Sequence, residues 1–365
     1  MAEPIEIWRE PVRGTAMHPS VVALPGLERM LLGTKEGFTE LPPTHHLTGL
    51  RPVDASPGSS SFQMPASPWL QTGLPGYFPS GIMAWVADAP LGGSILTTLP
   101  PGKFLVTSDL TMSYLRPAGV ASGSFQARSK LIHAGRSLGL SEVTIEDGNG
   151  RLLGHGTSRC FIRDWPLPAP DPPDETYRPP AYDTPDPYLR RPVPEIEVPP
   201  GMWDAKSGHD MIREFVSGEL PPPPISHLMG FNWVDTPEGE SHLVLPASPW
   251  LMSPAGTVYG GALALLADFA LATAVQTTVP PATAYSPLDL RVNFLRPVMP
   301  DGRDLTARAR VLHRGQKLAV ATGTITNADG KQVVAMMGST LVLPDRPFPI
   351  ERAVVAEEEA GSGDD

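Results

Sequence analysis

The sequence predicts an α+β fold present twice in one chain, each copy an antiparallel sheet wrapped round a long buried helix. Three observations carry this reading: a long internal repeat, one helix apolar on every face in each copy, and a run of alternating strands after it. The repeat is the clearest. Pro-Ala-Ser-Pro-Trp-Leu stands at 65–70 and again at 246–251, and the match continues beyond those letters. Asp88 pairs with Asp268, Leu115-Arg116-Pro117 with Leu295-Arg296-Pro297, and His133-Ala134-Gly135 with His313-Arg314-Gly315. Upstream, Pro43, His46, Leu47 and Gly49 return as Pro224, His227, Leu228 and Gly230, and the register changes by one residue just before Gly81 and Gly261. A period of this size is too long for a solenoid unit and matches a small domain.

Taken in order, residues 1–25 read as an irregular N-terminal extension, 26–162 as the first copy, and 163–207 as a linker crowded with proline. Such a linker favours extended chain and is long enough to let the copies pack side by side. The second copy covers 208–344, and 345–365 is an acidic tail rich in Gly and Ser that is expected to be disordered. In the second copy, residues 262–275 are apolar on nearly every side apart from Asp268, which predicts a helix buried all round. Its weaker counterpart, 82–91, contains Pro90, and the missing N–H predicts a kink or an early end there. Strands follow. Leu305, Ala307, Ala309 and Val311 alternate with Thr306, Arg308 and Arg310, while Gln126, Arg128 and Lys130 mark the solvent side of the equivalent strand. Asp147-Gly148-Asn149-Gly150 and Asn327-Ala328-Asp329-Gly330 read as hairpin turns.

Composition bounds the function. The 365 residues are 41% hydrophobic and 18% charged, as in soluble globular proteins. A net charge of −11 and a pI near 5.3 argue against nucleic acid or an anionic membrane as partner. No basic stretch leads into an apolar run at the N-terminus, and the longest apolar run, 262–267, is too short to span a bilayer. Cys160 is the only cysteine, which excludes an internal disulfide and a cysteine-rich metal site. No metal is expected, and the combination points to the cytosol.

Asp268 is the only charged side chain in a helix that otherwise reads as core, and Asp88 holds the same place in the first copy. A buried carboxylate must be paired or must shift its pKa, so these residues form either a structural hydrogen-bond network or a reactive pair. Glycines mark the turn before each helix: Tyr259-Gly260-Gly261 in one copy, Pro79-Ser80-Gly81 in the other. Glycine at a helix start exposes N–H groups and permits close approach of a carbonyl, with the helix dipole behind it. Gly260 and Asp268 are eight residues apart, or about 12 Å along one helix, so they cannot touch one reacting group. Antiparallel packing of the two helices would instead set Gly260 against Asp88 and Ser80 against Asp268, giving two composite sites.

These residues resemble a known family. Gly256-Thr257-Val258-Tyr259-Gly260-Gly261 with Asp268, the strand end Phe294-Leu295-Arg296-Pro297 and the segment from Val311 to Gln316 are similar to hotdog-fold acyl-CoA thioesterases of the phenylacetyl-CoA (PaaI-like) group. The resemblance covers 26–162 and 208–343 and implies a tandem double hotdog with acyl-CoA as substrate and no further cofactor. It implies that Gly260 or Ser80 offers an N–H to the thioester carbonyl, beside Gly261 or Gly81, and that Asp88 or Asp268 acts as base or nucleophile. Thr107, next to Ser108, matches the family's hydroxyl residue, whereas the second copy has Ser286-Pro287 there. Ser253 stands where the family has Asn, and Tyr259 where it has His, filling the space that His leaves. Gly135, Arg136 and Gly315 fall where the family meets coenzyme A phosphates, although a solvated arginine at a strand end explains Arg136 equally well. The better site is expected to join Gly260 to Asp88. His46, His227, His133 and His313 recur but read as structural, and Cys160 is replaced by Thr340 in the second copy. Homo-oligomers of double-hotdog units are compatible with the pattern. A hotdog hydratase would need a Gly-Asp-x-Asn-x-x-His segment, which is absent; an acyl-CoA-binding protein with decayed sites is the non-enzymatic alternative.

Overall fold

The computed structural model describes residues 5–35, 41–165, 171, 182–196, 201–344 and 346. Apart from Arg346, whose carbonyl accepts from the Ala284 N–H, the expected disordered tail lies outside these residues, as does the most proline-dense part of the linker. The first copy comprises α1 (Gly26–Leu32), α2 (Pro43–Thr48), β1 (Arg51–Ser56), β2 (Ser59–Pro65), α3 (Gly81–Leu96), β3 (Lys103–Tyr114), β4 (Ser124–Ala134), β5 (Leu138–Asp147) and β6 (Leu152–Asp164). After a short α4 (Met202–Ala205), the second copy repeats the order. It has α5 (Gly208–Ser217), α6 (Pro224–Met229), β7 (Asn232–Val234), β8 (Glu240–Pro246), α7 (Gly260–Gln276), β9 (Ala284–Phe294), β10 (Asp304–Arg314), β11 (Leu318–Thr326) and β12 (Gln332–Leu343).

The strands form one antiparallel sheet in the order β1-β2-β4-β5-β6-β3-β9-β12-β11-β10-β8-β7. The second half is the mirror of the first, joined where β3 pairs with β9. At that seam Thr111 faces Arg291, which are repeat equivalents, so a local two-fold axis passes between them. Alternation sets the register: Leu305, Ala307 and Ala309 point inward, while Arg308 and Arg310 face solvent. Both hairpin turns join the strands that the sequence indicates, β5 to β6 and β11 to β12.

Each sheet half curls round its helix, and α3 and α7 pack on each other inside. That explains their all-round apolar surface, since one side meets the sheet and the other the opposite helix. Each helix is also tied to its sheet by a buried serine: Ser60 donates to the Pro90 carbonyl (2.8 Å) and Ser241 to the Ala270 carbonyl (2.7 Å). Pro90 does not end α3, which runs on to Leu96. Ser94 and Ser141 both donate to the Leu91 carbonyl, one residue after Pro90.

The repeat also reaches outside 26–162 and 208–344. In the N-terminal extension Trp8 and Glu10 give their carbonyls to the Ser248 hydroxyl and the Trp250 indole. In the linker Tyr188 and Arg190 do the same for Ser67 and Trp69. Glu6 bonds His227 (2.8 Å) as Asp186 bonds His46 (3.0 Å). The two segments are equivalent straps, each laid across one copy, and Arg190 ties them together by bonding both oxygens of Glu10 at 2.6 Å.

Candidate active site

Helices α3 and α7 are antiparallel, so the first turn of each lies against the middle of the other. Their approach is close. A Cβ at Gly81 would stand 2.9 Å from the Leu265 Cα, and one at Gly261 would stand 2.8 Å from the Trp85 Cα. Glycine is required at both points for this reason.

The close crossing brings each aspartate to the head of the opposite helix. The Gly261 N–H donates to Asp88 (3.0 Å), and the Gly81 N–H donates to Asp268 (2.7 Å). The sequence pairs Gly260 with Asp88 and Ser80 with Asp268; the N–H that bonds each carboxyl is instead that of the next residue, Gly261 or Gly81. The Gly260 Cα also borders the Asp88 carboxylate, whose Oδ2 would lie 2.7 Å from a Cβ at that position. The Gly260 N–H opens α7, where N–H groups have no partner within the helix. Gly260 and Ser80 are both partly exposed, so each turn leads from solvent toward its buried carboxylate.

Burial dominates the electrostatics. Desolvation raises Asp88 to about 6, against the weaker pull of the Gly261 amide and the Thr107 hydroxyl. Asp268 is raised to about 7 by the same cause, with the Gly81 amide and Tyr114 acting in the other direction. The surroundings differ. Thr107 donates to Asp88 at 3.3 Å from a half-buried position on β3. Its counterpart at the other site is Pro287, which has no hydroxyl. There the Tyr114 hydroxyl faces Asp268 without a hydrogen bond of ordinary geometry. Tyr285 lies near the same carboxyl and donates to Gln276 at 2.7 Å.

Tyr259 does more than fill space. Its ring packs edge-on against Trp85, with centroids 5.1 Å apart, and its hydroxyl bonds the backbone of α3 at Trp85 and Ala89. Ser253 lies in the preceding loop, where its hydroxyl accepts from the Ala255 N–H and faces Thr257. Those contacts shape the loop and do not reach Asp88. Gly135 and Arg136 sit in the β4–β5 turn, and Gly315 in its counterpart. The first of these turns leads to Gly139, packed on Ile95, about 10 Å along α3 from Asp88. Cys160 is buried opposite Thr107, and burial pushes its thiol up to about 12, so it is not a nucleophile at neutral pH. A solvent-open groove lined by Lys206, Asp210, Arg213, Glu214 and Asp235 shares no residue with either site.

Tyr114 and Tyr285 were not legible as site residues from their own segments. The signal was a mismatch in the repeat, since the equivalent positions are Phe294 and Leu105. A hydroxyl present in one copy and absent from the other marks where the two sites differ.

Two stretches of the chain, 83–153 and 255–334, match the Thioesterase superfamily, one in each copy. A conserved hot dog fold protein from Alicyclobacillus acidocaldarius aligns over 84% of this chain and 98% of its own, with TM-score 0.51 and 16% identity. An acyl-CoA thioesterase II from Mycobacterium marinum aligns over 84% and 99%, with TM-score 0.48 and 15% identity. A phenylacetic acid degradation-related protein from Ralstonia eutropha JMP134 is 26% identical over 36% of this chain and 98% of that one, with TM-score 0.33. No curated protein matches the sequence. With its antiparallel helix pair and continuous sheet, the chain is a tandem double hotdog, and each copy carries one of the two stretches that match the Thioesterase superfamily.

Proposed function

We propose that the protein is an acyl-CoA thioesterase whose working site is built from Asp88 and Thr107 of the first copy and Gly260 and Gly261 of the second. The observation that carries this reading is the Asp88 carboxyl held by the Gly261 N–H at the head of α7, buried, with its pKa near 6. A carboxylate so placed is ionised at neutral pH yet basic enough to take a proton. A thioester entering along the Gly260 turn would set its carbonyl oxygen toward the Gly260 N–H, where helix dipole and amide stabilise the developing negative charge. Asp88 then takes a proton from water as the water oxygen bonds the carbonyl carbon. Collapse of the tetrahedral species breaks the C–S bond, and the proton held by Asp88 passes to the departing sulfur. The products are a carboxylic acid and free coenzyme A. Direct attack by Asp88 on the carbonyl, followed by hydrolysis of the anhydride, uses the same groups.

The Asp268 site supports a lesser role. It keeps the carboxyl and the Gly81 N–H but places Pro287 where Thr107 would stand. Release of free thiol from a panel of acyl-CoAs tests the reading. Turnover should rise with pH through about 6, as Asp88 ionises. A panel spanning short, long and aromatic acyl groups that yields no thiol above the buffer rate would contradict it.

A further inference from the structure

The hydroxyl of Tyr259 occupies an unusual place. It accepts from the Ala89 N–H (3.0 Å) and donates to the Trp85 carbonyl (2.7 Å). Residues 85 and 89 are the pair that an α-helix joins directly, so the tyrosine of one copy bonds both backbone groups of one rung in the helix of the other. The next rung lacks its donor, because Pro90 has no N–H to give Val86. Asp88 lies within this turn, one residue before Ala89. At its other end Tyr259 is the N-cap of α7, immediately before Gly260. The copy-two helix has no such contact: Pro79 stands where Tyr259 would, and cannot offer a hydroxyl.

We propose that Tyr259 is the positioning residue of the Asp88 site, a strut that fixes the distance between the Gly260 turn and the Asp88 carboxylate by bonding the α3 backbone on either side of it. One side chain is covalently next to the oxyanion donor and hydrogen-bonded next to the base. Any shift of α7 relative to α3 therefore strains it. The role rests on the thioesterase reading for its catalytic consequence, but the geometry it asserts stands without it. The groups facing Asp88 are the Gly261 amide on α7, Thr107 on β3, Cys160 on β6 and Tyr259 itself.

The test is Tyr259→Phe in the full chain, which keeps the ring packed on Trp85 and removes only the hydroxyl. Loss of the strut lets α3 shift against α7 and draws Asp88 off the Gly261 N–H. Turnover should fall on the order of 10–10²-fold with KM within about twofold, since misplacement by a fraction of an ångström to an ångström acts on the chemical step. The acid limb of the pH–rate profile should move above that of the native protein. Carboxyl-carbon NMR, with the Asp88 signal identified by its absence from Asp88→Asn, should show the same upward move. A variant with native turnover, native pH limb and native Asp88 titration, altered only in melting temperature, would make Tyr259 a core filler and overturn the proposal. If the native protein cleaves no acyl-CoA, the thioesterase reading fails by itself, and the NMR titration still decides whether Tyr259 positions Asp88. Tyr259→Leu, measured in the same way, provides a second hydroxyl-free variant should the phenylalanine form fold poorly.

Discussion

Burial of Asp88 and Asp268 has a thermodynamic consequence separate from any chemistry. Asp88 titrates near 6 in the folded chain against 3.8 for a solvated aspartate. Its raised folded pKa means that the folded state is favoured at low pH, and that this contribution is lost as pH rises from about 4 through 6. The difference corresponds to on the order of 3 kcal/mol once both states are ionised. Asp88→Asn keeps an oxygen for the Gly261 N–H and removes the buried charge. It should therefore be more stable than the native chain at pH 8, with the gap closing toward pH 4. Denaturant unfolding at pH 4, 6 and 8 checks this, and a variant less stable at every pH would refute it. At this scale the sequence was informative about the carboxylates, because one charge in an apolar helix stands out. It was silent on Tyr114 and Tyr285 and gave Tyr259 only as a filler of space, because a tyrosine in apolar surroundings reads as core until the partner of its hydroxyl is seen.

The helices show where pattern reading succeeds and where packing overrides it. The continuous apolar run of α7 made its burial plain. In α3, Pro90 and the Gly92-Gly93-Ser94 segment all argue against a helix on intrinsic propensity, yet it reaches Leu96. Tertiary contacts decide the matter. The Ser60 Oγ would stand 2.7 Å from a Cβ at Gly93, so glycine lets the sheet approach, and that same serine bonds the Pro90 carbonyl. The crossing of α3 and α7 depends on glycine in the same way. A methyl group at Gly261 would press on the Trp85 Cα at 2.8 Å and its carbonyl oxygen at 2.9 Å, backbone atoms with little room to yield. Gly261→Ala should cost about 1–3 kcal/mol and separate the helices. Thermal unfolding reads the first effect. A melting temperature equal to that of the native chain would show that the crossing is looser than drawn here.

Across the whole molecule, the repeat pairs two copies through β3 and β9, and two straps fasten the outside. The pairing could be read from sequence because Asp88 and Gly260 needed partners that their own helices could not supply. The straps could not, because Glu6 and Trp8 share only rough chemistry with Asp186 and Tyr188, and Glu10 is opposite in charge to Arg190, too little to register as a repeat. Their burial shows that the extension belongs to the fold: Ile7 is 0% exposed. Ile7→Ala should destabilise the protein by about 2–5 kcal/mol, as a core truncation does. Chemical denaturation measures it, and a loss below about 0.5 kcal/mol would mean that the N-terminal strap is a loose surface arm.

The central claim is that the two sites are unequal and that the one joining Gly260 to Asp88 does the work. Free-thiol release by Asp88→Asn and Asp268→Asn, under one acyl-CoA panel and at one pH, tests it most directly. The account predicts that Asp88→Asn loses most of the turnover, on the order of 10²-fold or more, while Asp268→Asn keeps it. Loss of turnover in Asp268→Asn with Asp88→Asn unaffected would contradict it.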